Sequence, residues 1–115
     1  MNSSSFYETE FKTDVTLDGL RHAMAIFAHE RGWERFHTPR NLLLALTGEV
    51  GELCEIFQWR GECDHLCALS WSERDRDHLG EELSDVLLYL LRLADRSGVD
   101  LGSAALRKME LNRKK

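Results

Sequence analysis

Apolar residues recur every three or four positions through four stretches of the chain, a spacing that is typical of amphipathic α-helices. The stretches run from Thr16 to Gly32, from Thr38 to about Trp59, from Ser70 to about Gly98 and from Asp100 towards the end of the chain. Short polar connections separate them, and the sequence contains one proline. The pattern predicts an all-α fold in which four helices form a four-helix bundle.

Helix-capping residues stand at the expected starts of these stretches. Thr38 is followed by Pro39, a combination that suits the first turn of a helix. Ser70 and Glu73 have the spacing of a capping box, so we expect Ser70 to cap the third helix.

Two pairs of acidic residues lie within the second and third helical stretches. Glu49 and Glu52 form the first pair, and Glu82 and Asp85 form the second. In each pair the spacing of three places both carboxylates on one face of a helix, and the same face carries apolar residues. An uncompensated charge among apolar side chains is costly to bury. If the two helices lie antiparallel with these faces together, a divalent cation is the natural compensating partner.

The ligand chemistry of these acids favours a hard cation. Four carboxylates supply oxygen ligands alone, which selects Mg²⁺, with Mn²⁺ as an alternative. Di-iron bundles instead have a histidine at the last position of a Glu-x-x-His motif, where this chain has Glu52 and Asp85. Because Mg²⁺ usually recruits substrate phosphates, the pattern favours phosphoanhydride hydrolysis, with one glutamate orienting or deprotonating the attacking water.

Composition limits the class of protein. A chain of 115 residues with 43% hydrophobic and 30% charged residues is typical of one globular domain. A net charge of −5 argues against nucleic acid as a partner, because the phosphates of nucleic acid require a basic face. No apolar run reaches the length of a membrane span, so we expect no membrane association.

Cysteine usage and the N-terminal sequence suggest a compartment. Three cysteines without a recognisable secretory signal favour a reducing environment. We therefore predict a cytoplasmic protein, and the sequence leaves the nucleus open. Residues 1–15 are expected to be a flexible N-terminal lead, and residues 16–115 a single folded domain.

The acidic signature, Glu49-x-x-Glu52 followed by Glu82-x-x-Asp85, resembles that of the all-α nucleoside triphosphate pyrophosphatases, the MazG-like superfamily. The surrounding segments look closest to the dCTP pyrophosphatase branch, over residues 36–37, 39–46, 49–59 and 81–89. The likeness implies Mg²⁺-dependent hydrolysis of dCTP, or of 5-modified dCTP, to the monophosphate and pyrophosphate. Such an activity would clean the nucleotide pool.

The resemblance also implies roles for individual residues. The four acids would bind the metal and act in catalysis. The remaining site residues would contact the substrate: Trp33 and Trp59 beside the pyrimidine, His37 in the connector before the second helix, Tyr89 near the deoxyribose, and Lys108 and Asn112 at the phosphates. Met24 stands where the family pattern leads us to expect a polar residue near the base.

Leucines on more than one side of the second and third helices predict assembly. A helix that is apolar nearly all round is buried on all sides, and about 100 residues cannot readily cover both a core and a nucleotide pocket. We expect a homo-oligomer that is at least a dimer. The resemblance implies a dimer of dimers, that is, a homotetramer.

Other functions stay open at this point. The acids could be structural, in a non-catalytic helical oligomerisation or regulatory module. A carboxylate-bridged redox bundle is a third class, and it would contain iron. Cys63 and Cys67, with His65 and His78, faintly suggest a zinc site, but their spacing is not that of a complete four-ligand set. Loop thiols without a role are therefore the simpler interpretation of these cysteines.

Overall fold

The computed structural model describes residues 9–115, and within this range it contains four α-helices and no strand. The helices are α1 (Leu17–Glu30), α2 (Pro39–Gln58), α3 (Glu73–Ser97) and α4 (Leu101–Arg113), and a 3₁₀ turn (Cys67–Ser70) precedes α3. The all-α prediction is confirmed. Residues 1–8 of the expected N-terminal lead lie outside the described residues, so the domain boundaries remain a prediction.

Side-chain caps explain where α1, α2 and α4 begin. Thr16 Oγ1 accepts a hydrogen bond from the Gly19 N–H at 3.0 Å. Thr38 caps α2 in the same way, with Pro39 in the first turn, and Asp100 caps α4. Each cap satisfies a backbone N–H that the first helical turn leaves without a partner. These three helix starts lie where the sequence places them.

The expected cap of α3 is wrong. Ser72, not Ser70, caps this helix, and its Oγ accepts from the Asp75 N–H at 3.1 Å. Ser70 instead ends the 3₁₀ turn and donates its hydroxyl to the Cys67 carbonyl at 2.8 Å. Trp71, between the two serines, packs against Phe57 with ring centroids 5.6 Å apart. This contact favours extended backbone at Trp71, so the helix starts after it.

Helices α2 and α3 form an antiparallel pair, and α1 packs against α3. The side chain of Arg60, just after α2, donates a hydrogen bond to the Asp75 carboxylate at the start of α3, and the two atoms are 2.5 Å apart. At the other end His37, just before α2, accepts a hydrogen bond from Arg92 near the end of α3. The segment between α1 and α2, residues 31–38, is called the α1–α2 connector below.

The buried apolar core is small, and much apolar surface stays exposed. Within residues 9–115 the core comprises Ala28, Leu42, Leu91 and Ala94. On the outer side of α2, Leu43 and Leu44 are 51% and 58% exposed. Beyond its first two residues α4 is exposed along its whole length, including Leu106 and Met109.

The α2–α3 loop holds a disulfide between Cys63 and Cys67, whose Cα atoms lie 5.8 Å apart, an ordinary separation for a disulfide. The chain turns back between them at Leu66, which has a φ of 58°. The interpretation of these cysteines as free thiols is therefore wrong, and neither is a thiolate ligand for zinc. Cys54 is free and exposed. In the described range no helix has the length and apolar character needed to cross a lipid bilayer.

Candidate active site

The α2–α3 pairing brings acidic side chains from both helices together. Glu49 of α2 and Glu82 and Asp85 of α3 each offer a carboxylate oxygen within 4.8 Å of the others. All three side chains are half-buried. Because each helix repeats every 3.6 residues, the residues one turn apart on α3 can face the same point on α2. These three residues are called the acidic cluster below.

Glu52, the fourth predicted acid, lies outside the acidic cluster. It is exposed on α2, and it lines a cleft together with Glu82 and Trp59. Its charge contributes to raising the pKa of Glu82. Glu52 therefore stands at the open side of the site, one helical turn from Glu49.

The acidic cluster is electrostatically uncompensated. Burial, followed by the charges of Asp85, Glu52 and Glu82, raises the pKa of Glu49. Burial and then the charge of Glu52 raise the pKa of Glu82, and His78 opposes this shift from 3.9 Å. Glu49 Oε2 and Glu82 Oε2 are buried without a hydrogen-bond partner in the described part of the chain. Such oxygens require a proton or a cation.

The donor set suits a hard divalent cation. Three carboxylates from two rigid helices converge, and two of them have a buried oxygen that no described protein group satisfies. Oxygen-only sites favour Mg²⁺ or Mn²⁺ over zinc or copper. The residues present therefore fit the expected type of cation.

Two of the clefts beside the acidic cluster contain predicted substrate-binding residues. The first, about 450 Å³, adjoins Glu52 and Glu82, and one of its walls is Trp59, whose side chain is 83% exposed. The second, about 470 Å³, lies between α1 and α3 beside Asp85 and is mostly apolar. It is lined by Leu20, Ala23, Met24, Phe27, Asp85, Leu88 and Tyr89. Trp59 thus lines a cleft with Glu52 and Glu82, and Tyr89 lines a different cleft with Asp85; a substrate role for either stays a prediction.

Trp33 and His37 are set back from the acids in the α1–α2 connector. The Trp33 ring packs edge-on against Phe27, with centroids 5.5 Å apart, and lies 5.9 Å from the His37 ring. Phe27 lines the cleft beside Asp85, so Trp33 is one side chain away from that cleft. His37 lines neither cleft and instead faces α3, where it accepts a hydrogen bond from Arg92 at 3.0 Å.

Lys108 and Asn112 lie apart from the site within one chain. Both are exposed on α4, and they line neither of the two clefts. Only Leu101 and Gly102, at the start of α4, are half-buried. A phosphate-binding role for the two residues therefore stays a prediction.

Arg92 is not among the residues predicted for the site, although it is buried, with 3% exposure. A signal was available, because Arg92 is a cation within an otherwise apolar run from Val86 to Ala94. Its spacing of three from Tyr89 and seven from Asp85 also places it on the same helix face as those residues.

Comparisons with known proteins give a consistent result. A sequence model of the MazG-like family matches residues 45–115. The chain is 54% identical over 105 residues to dCTP pyrophosphatase 1 of Homo sapiens and 53% identical to that of Bos taurus. These alignments cover 91% of this chain but 61% and 62% of the two relatives, so the chain spans less than two thirds of their length.

A solved structure agrees with the sequence relatives. The crystal structure of a pyrophosphatase from Archaeoglobus fulgidus matches with a TM-score of 0.73 and 35% sequence identity. The match covers 92% of this chain and 96% of that protein.

Proposed function

Since this chain belongs to the MazG-like family, we propose that it is a metal-dependent nucleoside triphosphate pyrophosphatase. The proposed reaction converts dCTP, or 5-modified dCTP, to the monophosphate and pyrophosphate, and so cleans the nucleotide pool. The acidic cluster carries the proposal: three carboxylates have oxygens within 4.8 Å of one another, and two buried oxygens lack a partner in the described residues. The relatives named dCTP pyrophosphatase 1 support the choice of nucleotide.

Mg²⁺ is the proposed cofactor, and Mn²⁺ is the alternative. Glu49, Glu82 and Asp85 would hold the cation, and Glu52, at the open side, would not be a permanent ligand. When bound, such a cation neutralises the triphosphate and stabilises the charge that develops on its oxygens.

We assign the proton-accepting role to Glu52. This residue is exposed beside the cluster, so its carboxylate can reach a water molecule that approaches the substrate from solvent. In-line attack requires that water to stand opposite the leaving pyrophosphate. Glu52 would orient the water and accept its proton as the new bond to phosphorus forms.

The two clefts suggest where the nucleoside lies. The exposed indole of Trp59 offers a flat surface for the base, and Trp33 would contribute from the connector, since base–aromatic stacking is worth about 1–3 kcal/mol. Tyr89, in the cleft beside Asp85, would crowd a ribose 2′-hydroxyl and so favour a deoxyribose.

A second chain would complete the site. The exposed leucines of α2 and the exposed apolar residues of α4 have no covering element within the described chain. We propose a homo-oligomer, a dimer or a dimer of dimers, that buries these surfaces. In it α4 of one protomer would bring Lys108 and Asn112 to the phosphates bound by its partner.

A cytoplasmic location also stays a prediction.

A panel of nucleoside triphosphates tests the proposal. Pyrophosphate release is measured for each with Mg²⁺, and the Glu82→Gln variant serves as a control. We expect dCTP to be turned over faster than CTP and the variant to be inactive. If the folded protein releases pyrophosphate from none of them, the exposed apolar surfaces favour the non-catalytic oligomerisation module instead.

A further inference from the structure

Arg92 is the one buried residue among the polar and charged residues that the structure describes. Its Nε donates to His37 Nδ1 at 3.0 Å, and one of its terminal nitrogens lies 3.5 Å from an oxygen of Asp95. Asp95 also accepts from Arg21 of α1 at 3.4 Å. The Arg92 guanidinium therefore links α3 to the connector and, through Asp95, to α1.

Arg96, one turn further along α3, holds the connector backbone. It donates to the carbonyl of His37 at 3.0 Å and to the carbonyl of Glu34 at 3.2 Å. The same connector carries Trp33, whose ring lies beside His37 and packs on Phe27. A continuous series of contacts thus runs from Arg92 through His37, Trp33 and Phe27 to the cleft beside Asp85.

We infer that Arg92 is a positioning residue, which fixes the His37 ring and thereby places Trp33 for the nucleotide. This inference rests on the proposed function and deepens it. It also changes the role expected for His37, which acts through the connector and not by contact with the substrate.

The hydrogen bond determines the protonation state of His37. An arginine side chain has donors but no acceptor, so Nδ1 must be the unprotonated nitrogen and Nε2 must carry the proton. Burial, followed by the charges of Arg92 and Arg96, lowers the pKa of His37. The Trp33 ring faces it from the connector, and the carboxylate of the neighbouring Glu34 is hydrogen-bonded to His29.

Two substitutions of His37 separate positioning from substrate contact. The amide of His37→Asn lies where Nδ1 lies and can still accept from Arg92, whereas the amide of His37→Gln reaches the position of Nε2. Both lose the ring, so each is a control for the other. If Arg92 positions His37, the KM of His37→Asn should be within about threefold of wild type and that of His37→Gln roughly tenfold higher. The kcat of both should change little. The two variants differ in one charge-assisted hydrogen bond, the one that residue 37 accepts from Arg92.

The opposite order of KM would mean that Nε2 contacts the nucleotide, and the positioning role would be wrong while the pyrophosphatase activity stands. A wild-type protein that turns over no nucleoside triphosphate would overturn the proposed function together with this inference. The two failures are therefore distinguishable.

A spectroscopic measurement on the protein without substrate tests the same arrangement. ¹⁵N NMR of the His37 ring is expected to show the Nε2–H tautomer and a pKa below 6.5. Arg92→Met should raise that pKa, Arg92→Lys should retain more of the shift, and the control Arg74→Met at the far end of α3 should leave it unchanged. An Nδ1–H tautomer in wild type, or a titration that Arg92→Met does not move, would overturn the inference.

Discussion

Neutralising Glu49 should have opposite effects on stability with and without a divalent cation. Glu49 lies within 4.8 Å of both Glu82 and Asp85, so Glu49→Gln removes two of the three repulsive pairs in the acidic cluster. Burial and the neighbouring charges raise the pKa of Glu49 above its ordinary 4.5. Ionising it in the folded state therefore costs free energy, and the variant without cation should be as stable as wild type or more stable.

The dependence on pH follows from the same shift. Above pH 4.5 the folded protein holds this proton more strongly than the unfolded chain does, so without cation wild-type stability falls relative to Glu49→Gln as pH rises through the raised pKa. A cation at a free concentration of a hundred times its Kd stabilises the folded protein by about 2.7 kcal/mol. For a domain of this size that raises the Tm by roughly 10 °C. Loss of one ligand should weaken affinity at least about tenfold and remove about 1.4 kcal/mol of that gain.

Thermal unfolding at pH 5 and pH 7, with EDTA and with a Mg²⁺ series, measures these effects. We expect Glu49→Gln to melt at or above the wild-type Tm in EDTA and below it at high Mg²⁺. The control Glu30→Gln removes the same charge from an exposed position at the end of α1 and should show no such crossover. Equal Mg²⁺ stabilisation of wild type and Glu49→Gln would refute the assignment of Glu49 to the cation site.

Three other predictions concern the nucleotide and the assembly. Trp59→Ala should raise KM for dCTP about tenfold or more with little change in kcat, because stacking is lost equally in ground and transition states; an unchanged KM would exclude Trp59 from the base site. Tyr89→Ala should lower the ratio of kcat/KM for dCTP to kcat/KM for CTP, and an unchanged ratio would mean that Tyr89 does not contact the sugar. Sedimentation should show a dimer or larger species that Leu44→Glu dissociates, since Leu44 is 58% exposed in one chain; an active 13.3 kDa monomer would contradict this.

Helix positions were predictable from the sequence because they depend on local signals. Thr38 and Pro39 specify the start of α2 whatever packs around it. The start of α3 was not predictable in this way, since Ser70 and Ser72 each precede an acidic residue by three positions. The packing of Trp71 on Phe57, a contact across the loop, decides between them.

The candidate site was predictable to the level of the helix face. The spacing of three places each acidic pair on one side of its helix, but the rotation of α2 against α3 decides which oxygens meet. That rotation brings Glu49 into the acidic cluster and leaves Glu52 at its open side. The burial of Arg92 and the exposed position of α4 likewise depend on tertiary contacts that no periodicity specifies.

Product analysis of dCTP hydrolysis tests the central claim most directly. ³¹P NMR is recorded on dCTP incubated with the protein and Mg²⁺, alongside Asp85→Asn as a control for a contaminating hydrolase. The proposed reaction yields dCMP and pyrophosphate in equal amounts, and the variant yields neither above background. Formation of dCDP and orthophosphate, or products that persist unchanged with Asp85→Asn, would contradict it.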